Sequence, residues 1–360
     1  MSDRVPVRAD LADLEPYGAP QLDVAVRLNT NETAEPPPPG YLDAVASRIG
    51  GLQLNRYPDR PHTRLRELLG ARVDLPVDRV WAANGSNEVL AQLLQAYGGP
   101  GRRAATVRPG YSMYPVLARV TMTELVEVDL DEHFGWTDET VQDLAATAPD
   151  VVIFANPNNP TGVPVDVARV REVHDAVPNA LLVVDEAYVE FSADGSGAAV
   201  SAVGLLDELP RLVVSRTFSK AFRLAGLRLG YLYGQDWVVD DVRRVRLPYH
   251  LDAIKQVAAE VALEQEAAFL DHRGRVAAER DRVATALRAM DGVHVWPSAA
   301  NYLLFRVDDA TAVFDGLLAH GVLVRDFSTK PRLGGCLRVT IGTRAENDAF
   351  LAALGAVLAG

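Results

Sequence analysis

The sequence is short of cysteine and of long apolar runs. Its 360 residues contain one cysteine, Cys336, which excludes an intramolecular disulfide and a zinc site of the CxxC type. No stretch of about 18 uncharged apolar residues occurs, so we expect no membrane-spanning helix. The first residues, MSDRVPVRADLADLEPYG, lack the apolar segment of a secretory signal peptide. These features predict a cytoplasmic protein.

Net positive charge and metal-ligand motifs are also missing. The formal net charge is −12 and the pI is about 5.1, which disfavours nucleic acid as a partner because phosphate contacts need a basic face. The seven histidines show no ligand spacing such as HExxH, so we expect no metal. No GxGxxG follows a first strand and no GxxxxGK[ST] occurs, which disfavours a dinucleotide-dependent dehydrogenase.

Lysine is scarce in this chain. Only three of the 36 basic residues are lysines, namely Lys220, Lys255 and Lys330. Because arginine supplies most of the positive charge of this chain, each remaining lysine is a stronger candidate for a chemical role that arginine cannot fill. The lysine amine can lose its proton and attack a carbonyl, whereas a guanidinium effectively cannot.

The order of apolar segments predicts the fold class. From about residue 31 to 250, short β-rich runs such as DVVIFANPNNP and ALLVVDEAY alternate with segments of helical spacing. This pattern predicts an α/β large domain with a mostly parallel sheet and helices on both faces. We expect an N-terminal arm over 1–30, and an interdomain helix and a small α+β domain over 251–360. Within 251–291, where Gly274 is the one glycine and proline is absent, we expect one long helix or two in sequence.

Polar residues cluster where the predicted strands end. In open α/β sheets, ligands bind beyond the carboxyl ends of the strands. Asp185 follows the apolar run LLVV directly, and a carboxylate buried there needs a cation. A structural ion pair would satisfy it, and so would the protonated ring nitrogen of pyridoxal 5′-phosphate (PLP).

Lys220 lies in a Ser/Thr-rich turn after another apolar run. A solvated surface lysine is the ordinary interpretation, but a Schiff-base lysine needs such a semi-buried site near other cations. Nearby side chains could bind a phosphate: Thr217, Ser219 and Arg228. The segment Gly85–Asn87 opens a predicted helix, and its free N–H groups could bind the same phosphate or form an ordinary cap.

Three segments in sequence order resemble the fold type I, PLP-dependent aminotransferases of class I and II. They are NPNNPTG (156–162), DEAY (185–188) and SRTFSKAFRLAGLRLGY (215–231). Further segments are similar to the histidinol-phosphate aminotransferase branch of that family: LNTNE (28–32), LNRYPD (54–59), RPGYSMYP (108–115), RLPYHL (246–251), ANYLLF (300–305), LVRDF (323–327) and CLRVTIGT (336–343). The resemblance extends from about residue 16 to the end.

The resemblance implies a role in cofactor binding for each matching residue. It implies that Lys220 binds PLP covalently and later moves a proton between the substrate's α-carbon and the cofactor. Asp185 is implied to keep the pyridine nitrogen protonated. The implied contacts to the ring are Asn159 and Tyr188 at its O3′ and Tyr111 on its face. The residues implied to hold the phosphate are Ser86, Asn87, Thr217, Ser219 and Arg228.

The resemblance also implies partners and substrates. Tyr57 resembles a tyrosine that reaches the cofactor phosphate of the neighbouring subunit, which implies a homodimer with shared sites. Arg325 and Arg338 look like the pair that binds the anionic end of the substrate, and Tyr17 looks like a tyrosine that a partner subunit lends to it. Asn29 and Asn31 are expected to set a loop near the substrate, although a turn role is equally compatible. The implied reaction converts histidinol phosphate and 2-oxoglutarate to imidazole-acetol phosphate and glutamate.

Two positions depart from the family pattern. Asn87 stands where many relatives carry aspartate, which changes the local charge but not the backbone donors. Gly110 stands where relatives often carry threonine or serine, and we expect it to loosen the turn before Tyr111.

Three other functions remain open on the sequence. An aromatic amino acid (phenylalanine) aminotransferase would use the two arginines for carboxylates alone. A PLP-dependent phospho-amino-acid decarboxylase would release CO2 and need no keto acid. A ligand-sensing half of a transcription regulator is disfavoured by the acidic charge and by the lack of a helix-turn-helix stretch.

Overall fold

The computed structural model describes residues 5–16, 18–192 and 200–359. The strands of this part of the chain are β1 (Val26–Arg27), β2 (Val80–Ala83), β3 (Arg103–Arg108), β4 (Glu124–Asp129), β5 (Val151–Ala155), β6 (Leu181–Asp185), β7 (Leu212–Thr217), β8 (Gly230–Tyr233), β9 (His294–Val295), β10 (Tyr302–Arg306), β11 (Val322–Leu323), β12 (Arg325–Asp326) and β13 (Cys336–Thr340).

Helices lie between most of these strands. The α-helices of the described ranges are α1 (Tyr41–Ile49), α2 (Thr63–Ala71), α3 (Ser86–Tyr97), α4 (Met113–Val120), α5 (Asp138–Ala146), α6 (Val167–Ala176), α7 (Asp236–Val245), α8 (Ala253–Glu264), α9 (Glu266–Leu270), α10 (Arg273–Arg288), α11 (Ala310–Ala319) and α12 (Arg344–Ala359). Polar residues mark several starts: Asp166, for example, accepts a hydrogen bond from the Ala168 N–H at 2.7 Å, which caps α6.

The large sheet has seven strands in the order β2-β8-β7-β6-β5-β3-β4. Strand β8 runs antiparallel to both of its neighbours, and the other pairs are parallel. Every residue of the central strands β5, β6 and β7 is buried, as expected for continuous apolar runs in a sheet covered on both faces. This arrangement confirms the predicted α/β class with a mostly parallel sheet.

A second sheet is antiparallel and has four strands in the order β12-β13-β10-β9. Together with α10, α11 and α12 it buries a separate apolar cluster that includes Leu303, Phe305 and Phe350. A smaller α+β unit therefore accompanies the large sheet, as predicted. Strand β1, inside the predicted arm of 1–30, pairs in parallel with β11, with Val26 opposite Val322. The predicted domain limits themselves stay predictions.

The segment 251–291 differs from the sequence expectation of one or two helices. It contains three helices, α8, α9 and α10, with breaks at Gln265 and around His272. Gln265 leaves the helical region at φ −106° and ψ 20°, although no proline or glycine is present there. Gly274, in contrast, lies inside α10. Phe269 and Leu270, which lie between the two breaks, are buried. The breaks therefore go with tertiary packing, and local helix propensity does not predict them.

Two absences hold for the described ranges. No helix there combines the length and apolar character needed to cross a bilayer. No group of three histidine, cysteine, aspartate or glutamate side chains in those ranges is placed to hold a metal ion.

Candidate active site

The carboxyl ends of β5, β6 and β7 open into a cavity of about 220 Å³. Ala155, Asp185 and Thr217 end these neighbouring strands, and all three line the cavity. Of the sixteen site residues predicted from the sequence, the cavity lining contains Asn29, Asn31, Ser86, Asn87, Tyr111, Asn159, Asp185, Tyr188, Thr217, Ser219, Lys220, Arg228, Arg325 and Arg338. The fold thus brings together residues that are up to 309 positions apart, because strand ends at one sheet edge converge.

The two other predicted residues are not placed in this cavity. Tyr57 is 78 % exposed, and its ring stacks on that of Tyr249 with centroids 4.2 Å apart. In this chain it therefore does not contact its own cavity. Tyr17 lies outside the described residues.

Lys220 lies at the wall of the cavity and is held from both ends. Its Nζ donates a hydrogen bond to the Thr30 carbonyl oxygen at 2.9 Å, and the Thr33 hydroxyl donates to the Lys220 carbonyl oxygen at 2.7 Å. Burial, together with the guanidinium groups of Arg338 and Arg228, lowers the pKa of the amine to about 7. A substantial fraction of the amine is therefore neutral and nucleophilic near neutral pH.

Asp185 is buried at the end of β6 and is 3 % exposed. Its Oδ2 accepts a hydrogen bond from the Tyr114 hydroxyl at 3.2 Å, and its Oδ1 accepts one from the Ser215 hydroxyl at 3.3 Å. Burial raises the pKa of the carboxyl to about 7. The site thus holds a carboxylate whose charge is not balanced by a protein cation in the described ranges, which suits a cationic ligand atom.

The start of α3 and the loop before β8 form a cup whose donors suit an anion, called here the anion cup. Ser86 and Asn87 occupy the first turn of α3, where backbone N–H groups and the helix dipole favour a negative group. Arg228 reaches the cup, and its Nη1 donates to the Ser219 hydroxyl oxygen at 3.1 Å. Gly85 has φ +87° and lies against the Arg228 guanidinium, so a side chain there would be strained and crowded.

Gly230→Ala is expected to destabilise the protein through this cup. A Cβ at Gly230 would overlap the backbone nitrogen of Ser86, which cannot move without displacing the start of α3. We expect the free energy of unfolding to fall by about 1–3 kcal/mol, measured by denaturant titration. Gly226→Ala is the matched control, because a Cβ there meets open space. Equal stability of the two variants would contradict the close packing described here.

A polar network surrounds the Tyr188 hydroxyl. It accepts a hydrogen bond from Asn31 Nδ2 at 3.0 Å, and Asn159 Nδ2 lies at 3.5 Å. The Asn31 side chain is oriented by the Thr340 hydroxyl, which donates to its Oδ1 at 3.2 Å. Asn31 is 1 % exposed and has φ 56°, so asparagine is one of the few residues suited to the position.

Asn31, expected near the substrate, holds the Tyr188 hydroxyl of the site. Two residues of the site were not predicted from the sequence: Tyr114 and Ser215. Each lies inside a segment that carries the family resemblance. The resemblance therefore pointed to the segment but not to the contact that the residue makes. Tyr114 belongs to RPGYSMYP, and Ser215 is the register partner of Asp185 in the sheet.

Arg338 and Arg325 lie on adjacent strands and are register partners in the small sheet. Arg338 is 6 % exposed, donates from Nη1 to Asn159 Oδ1 at 2.6 Å and lies over the Tyr302 ring at 5.1 Å. Arg325 is more open and donates to the Gly18 carbonyl oxygen at 3.3 Å. Two guanidiniums at one cavity suit a substrate with an anionic group.

The turn before Tyr111 is tight, contrary to the expectation that Gly110 would loosen it. A Cβ at Gly110 would overlap the Val107 carbonyl oxygen. Glycine therefore allows the backbone at residue 110 to lie close against the backbone at residue 107. Tyr111 is fixed further by its hydroxyl, which donates to Asn87 Oδ1 at 3.3 Å. Asn87 thus contributes a side-chain contact in addition to its place in the helix start.

A larger cavity of about 770 Å³ lies elsewhere in the described structure. Two of its arginines pair with carboxylates of the protein: Arg72 with Glu266 at 2.6 Å, and Arg216 with the adjacent Glu186 at 2.9 Å. None of the predicted site residues lines it. The smaller cavity is therefore the candidate active site.

Known proteins resemble this chain over nearly its whole length. The chain matches the family Aminotransferase class I and II over residues 23–354. It is 48 % identical to the histidinol-phosphate aminotransferase of Nocardia farcinica, over 97 % of this chain and 91 % of that protein. The structure is similar to that of the histidinol-phosphate aminotransferase of Sinorhizobium meliloti in complex with pyridoxal-5′-phosphate (TM-score 0.84, 26 % identity, 93 % of this chain and 91 % of that one). The L-threonine-O-3-phosphate decarboxylase of Porphyromonas gingivalis shares the fold (TM-score 0.81, 23 % identity, 93 % of this chain and all 100 % of that one).

Proposed function

The chain belongs to the class I and II aminotransferases, and we propose that it transfers the amino group of L-histidinol phosphate to 2-oxoglutarate with PLP as cofactor, a step of histidine biosynthesis. The relative from Nocardia farcinica supports the choice of amino donor, and the solved structure from Sinorhizobium meliloti supports the choice of cofactor. One observation carries the proposal. A single cavity combines an amine of lowered pKa, a buried carboxylate, an anion cup and two arginines.

The residues of the cavity fit PLP group by group. The cup at Ser86 and Arg228, kept open by glycines, suits the phosphate. The uncompensated carboxylate of Asp185 suits a protonated ring nitrogen, and Tyr188 with Asn159 suits the ring oxygen. When bound, PLP supplies an aldehyde that links to amines and a ring that withdraws electrons from the substrate.

Lys220 is the group that moves the proton in this proposal. Its neutral amine would take the proton from the α-carbon of a bound substrate and would later give that proton back. A pKa near 7 is well matched to both directions at neutral pH. The Thr30 carbonyl oxygen and the Tyr188 ring, 5.6 Å from Nζ, keep the amine at the cavity wall between transfers.

The arginine pair would take the anionic end of each substrate in turn. That end is the phosphate of histidinol phosphate in one half of the reaction and a carboxylate of 2-oxoglutarate or glutamate in the other. The Asn29 carbonyl oxygen accepts a hydrogen bond from Arg338 Nη2 at 3.0 Å. Asn29 therefore orients the guanidinium, which is more than a role in a turn. A planar guanidinium can meet phosphate and carboxylate with two parallel hydrogen bonds, which suits both substrates.

Arg338→Gln is expected to weaken binding of both substrates. Loss of a charge-assisted contact should raise KM by about 10- to 100-fold, with a smaller change in kcat. Steady-state kinetics with each substrate varied in turn would measure this. Arg306→Gln, on the exposed end of β10 in the same sheet, is the control and should leave KM unchanged. An unchanged KM in Arg338→Gln would remove this residue from the substrate site.

A homodimer is part of the proposal. Tyr57 and Leu247 are 78 % and 74 % exposed, and Leu54 is 62 % exposed. Such an exposed apolar surface suits a subunit interface that would bring Tyr57 to a neighbouring cofactor phosphate. Light scattering should give twice the chain mass of 39.0 kDa, and a monomer at assay concentration would contradict the shared site.

The alternatives are separated by one half-reaction. The aromatic amino acid aminotransferase stays open because a pocket that discriminates by apolar contacts alone accepts related rings. The likeness to the decarboxylase concerns the fold alone. Holoenzyme mixed with histidinol phosphate or phenylalanine, without keto acid, should lose the visible absorbance of its cofactor at far lower concentrations of histidinol phosphate. Preference for phenylalanine would favour the aromatic branch, and release of CO2 from a phospho-amino acid would favour the decarboxylase.

A further inference from the structure

The Asp185 carboxylate is held by two neutral hydroxyl groups. No cation of the described ranges pairs with it. Tyr114 donates to Oδ2 at 3.2 Å and Ser215 to Oδ1 at 3.3 Å. Both donors are buried, with Tyr114 2 % exposed, so water does not compete readily for the carboxylate. A buried carboxylate is ordinarily stabilised in its ionised form by a nearby cation. Here the two hydrogen bonds provide that stabilisation, so the loss of either one should change the free energy of ionisation markedly.

We propose that Tyr114 is a positioning residue that sets how strongly Asp185 holds a proton and, through it, the protonated ring nitrogen of the cofactor. This inference rests on the proposed function, because it requires the ring nitrogen to face Asp185. A hydroxyl that donates to a carboxylate stabilises the ionised form. Removal of the Tyr114 hydroxyl makes the carboxylate more basic, so Asp185 takes up a proton, and loses its charge, at higher pH.

The chain builds this contact from one short segment. Tyr114 lies in the first turn of α4, and Tyr111, just before that helix, meets its ring edge-on with centroids 5.4 Å apart. The same segment therefore places the aromatic ring of Tyr111 at the cavity and the hydroxyl of Tyr114 on Asp185. Ser215 reaches the carboxylate from the neighbouring strand, where it is the register partner of Asp185.

Several titratable groups lie around Asp185. Lys220, with its pKa of about 7, and Tyr188 line the same cavity, and Lys220 titrates alike in every variant compared below. Glu186, next in the chain, raises the pKa of Asp185 and is itself paired with Arg216. Tyr302 from β10 is buried, which raises its pKa, as burial also does for Tyr114. Both phenols therefore stay neutral across the range in which Asp185 titrates, and Tyr114 remains a donor throughout.

The test is the pH dependence of cofactor binding by Tyr114→Phe, which removes the hydroxyl and keeps the ring. The probe is pyridoxamine 5′-phosphate added to cofactor-free protein, because its amine forms no covalent link to Lys220. Affinity is measured by fluorescence titration from about pH 5.5 to 8.5, around the pKa of Asp185. The matched control is Tyr41→Phe, in which a buried hydroxyl that donates to the Ala258 carbonyl oxygen is lost outside the cavity.

We expect the loss of affinity on the acid side to move upward by about one pH unit in Tyr114→Phe, the size of one hydrogen bond to a charged group. The control should follow the unaltered protein. In the loaded enzyme, kcat should fall about tenfold while KM for the amino donor changes little.

Three results have distinct meanings. An acid limb in Tyr114→Phe that coincides with that of the control would overturn the inference. If that variant does not fold, Ser215→Ala must shift the limb in the same direction, and an unshifted limb there would overturn the inference equally. No binding of the probe to the unaltered protein at any pH would overturn the proposed function instead.

Discussion

Lys220→Ala is expected to reduce turnover by about 10⁴-fold or more. The substitution removes both the amine that links to the cofactor and the base that moves the proton. The structure explains why neither of the other lysines can replace it. Lys330 is exposed, and Lys255 donates to Asn84 Oδ1 outside the cavity lining.

The comparison with Lys220→Arg makes this prediction sharper. Arginine keeps the positive charge and the length but is a poor nucleophile, so this variant should fail to the same extent. Lys330→Ala is the control and should turn over normally. Steady-state assays at saturating substrate measure all three variants. Activity of Lys220→Ala within about tenfold of the unaltered protein would remove Lys220 from catalysis.

Asp185→Asn is expected to lower kcat by about 10²- to 10³-fold. Asparagine has nearly the same shape, so the fold should persist, and one of the two hydroxyls, of Tyr114 or Ser215, can rotate to accept from the new amide N–H. The charge that favours a protonated ring nitrogen is lost. The cofactor should still bind through the anion cup at Ser86 and Arg228, with an altered visible spectrum. Normal kcat in this variant would contradict the pairing of Asp185 with the ring.

The same substitution should stabilise the cofactor-free protein above about pH 7. Burial raises the pKa of Asp185 to about 7 from its ordinary value of 3.8, so the folded state binds a proton that the unfolded state has lost. The stability associated with this proton is present below the unfolded pKa and is lost as pH rises through the folded pKa. Asparagine does not titrate, so the Tm of cofactor-free Asp185→Asn should fall less than that of the unaltered protein between pH 4 and 8. Parallel Tm curves would contradict the buried, uncompensated carboxylate.

Alternation of apolar runs with helical segments was enough to predict the central sheet. The runs VVIFA and LLVVD are β5 and β6, buried throughout, because burial on both faces selects continuous apolar sequence. The breaks between α8, α9 and α10 could not be predicted, since Gln265 is an ordinary residue for a helix interior and tertiary packing sets its dihedral angles.

The residues of the candidate site also differ in how far the sequence predicts them. Residues whose chemistry is distinctive, such as Lys220 and Asp185, stood out from composition and position alone. Tyr114 did not, because its role depends on which carboxylate faces its hydroxyl after folding. Gly110 was expected to loosen its turn, and the structure shows a close backbone contact that only the three-dimensional course of the chain reveals.

The most direct test of the account uses the scarcity of lysine. Borohydride reduction of the PLP-loaded protein fixes the cofactor on the amine to which it is linked, and peptide mass spectrometry then locates it. Three lysines are available, Lys220, Lys255 and Lys330, so the assignment is unambiguous. We expect one cofactor per chain on Lys220 and none on the other two lysines. A reduced cofactor on Lys255 or Lys330, or no trapped cofactor at all, would contradict it.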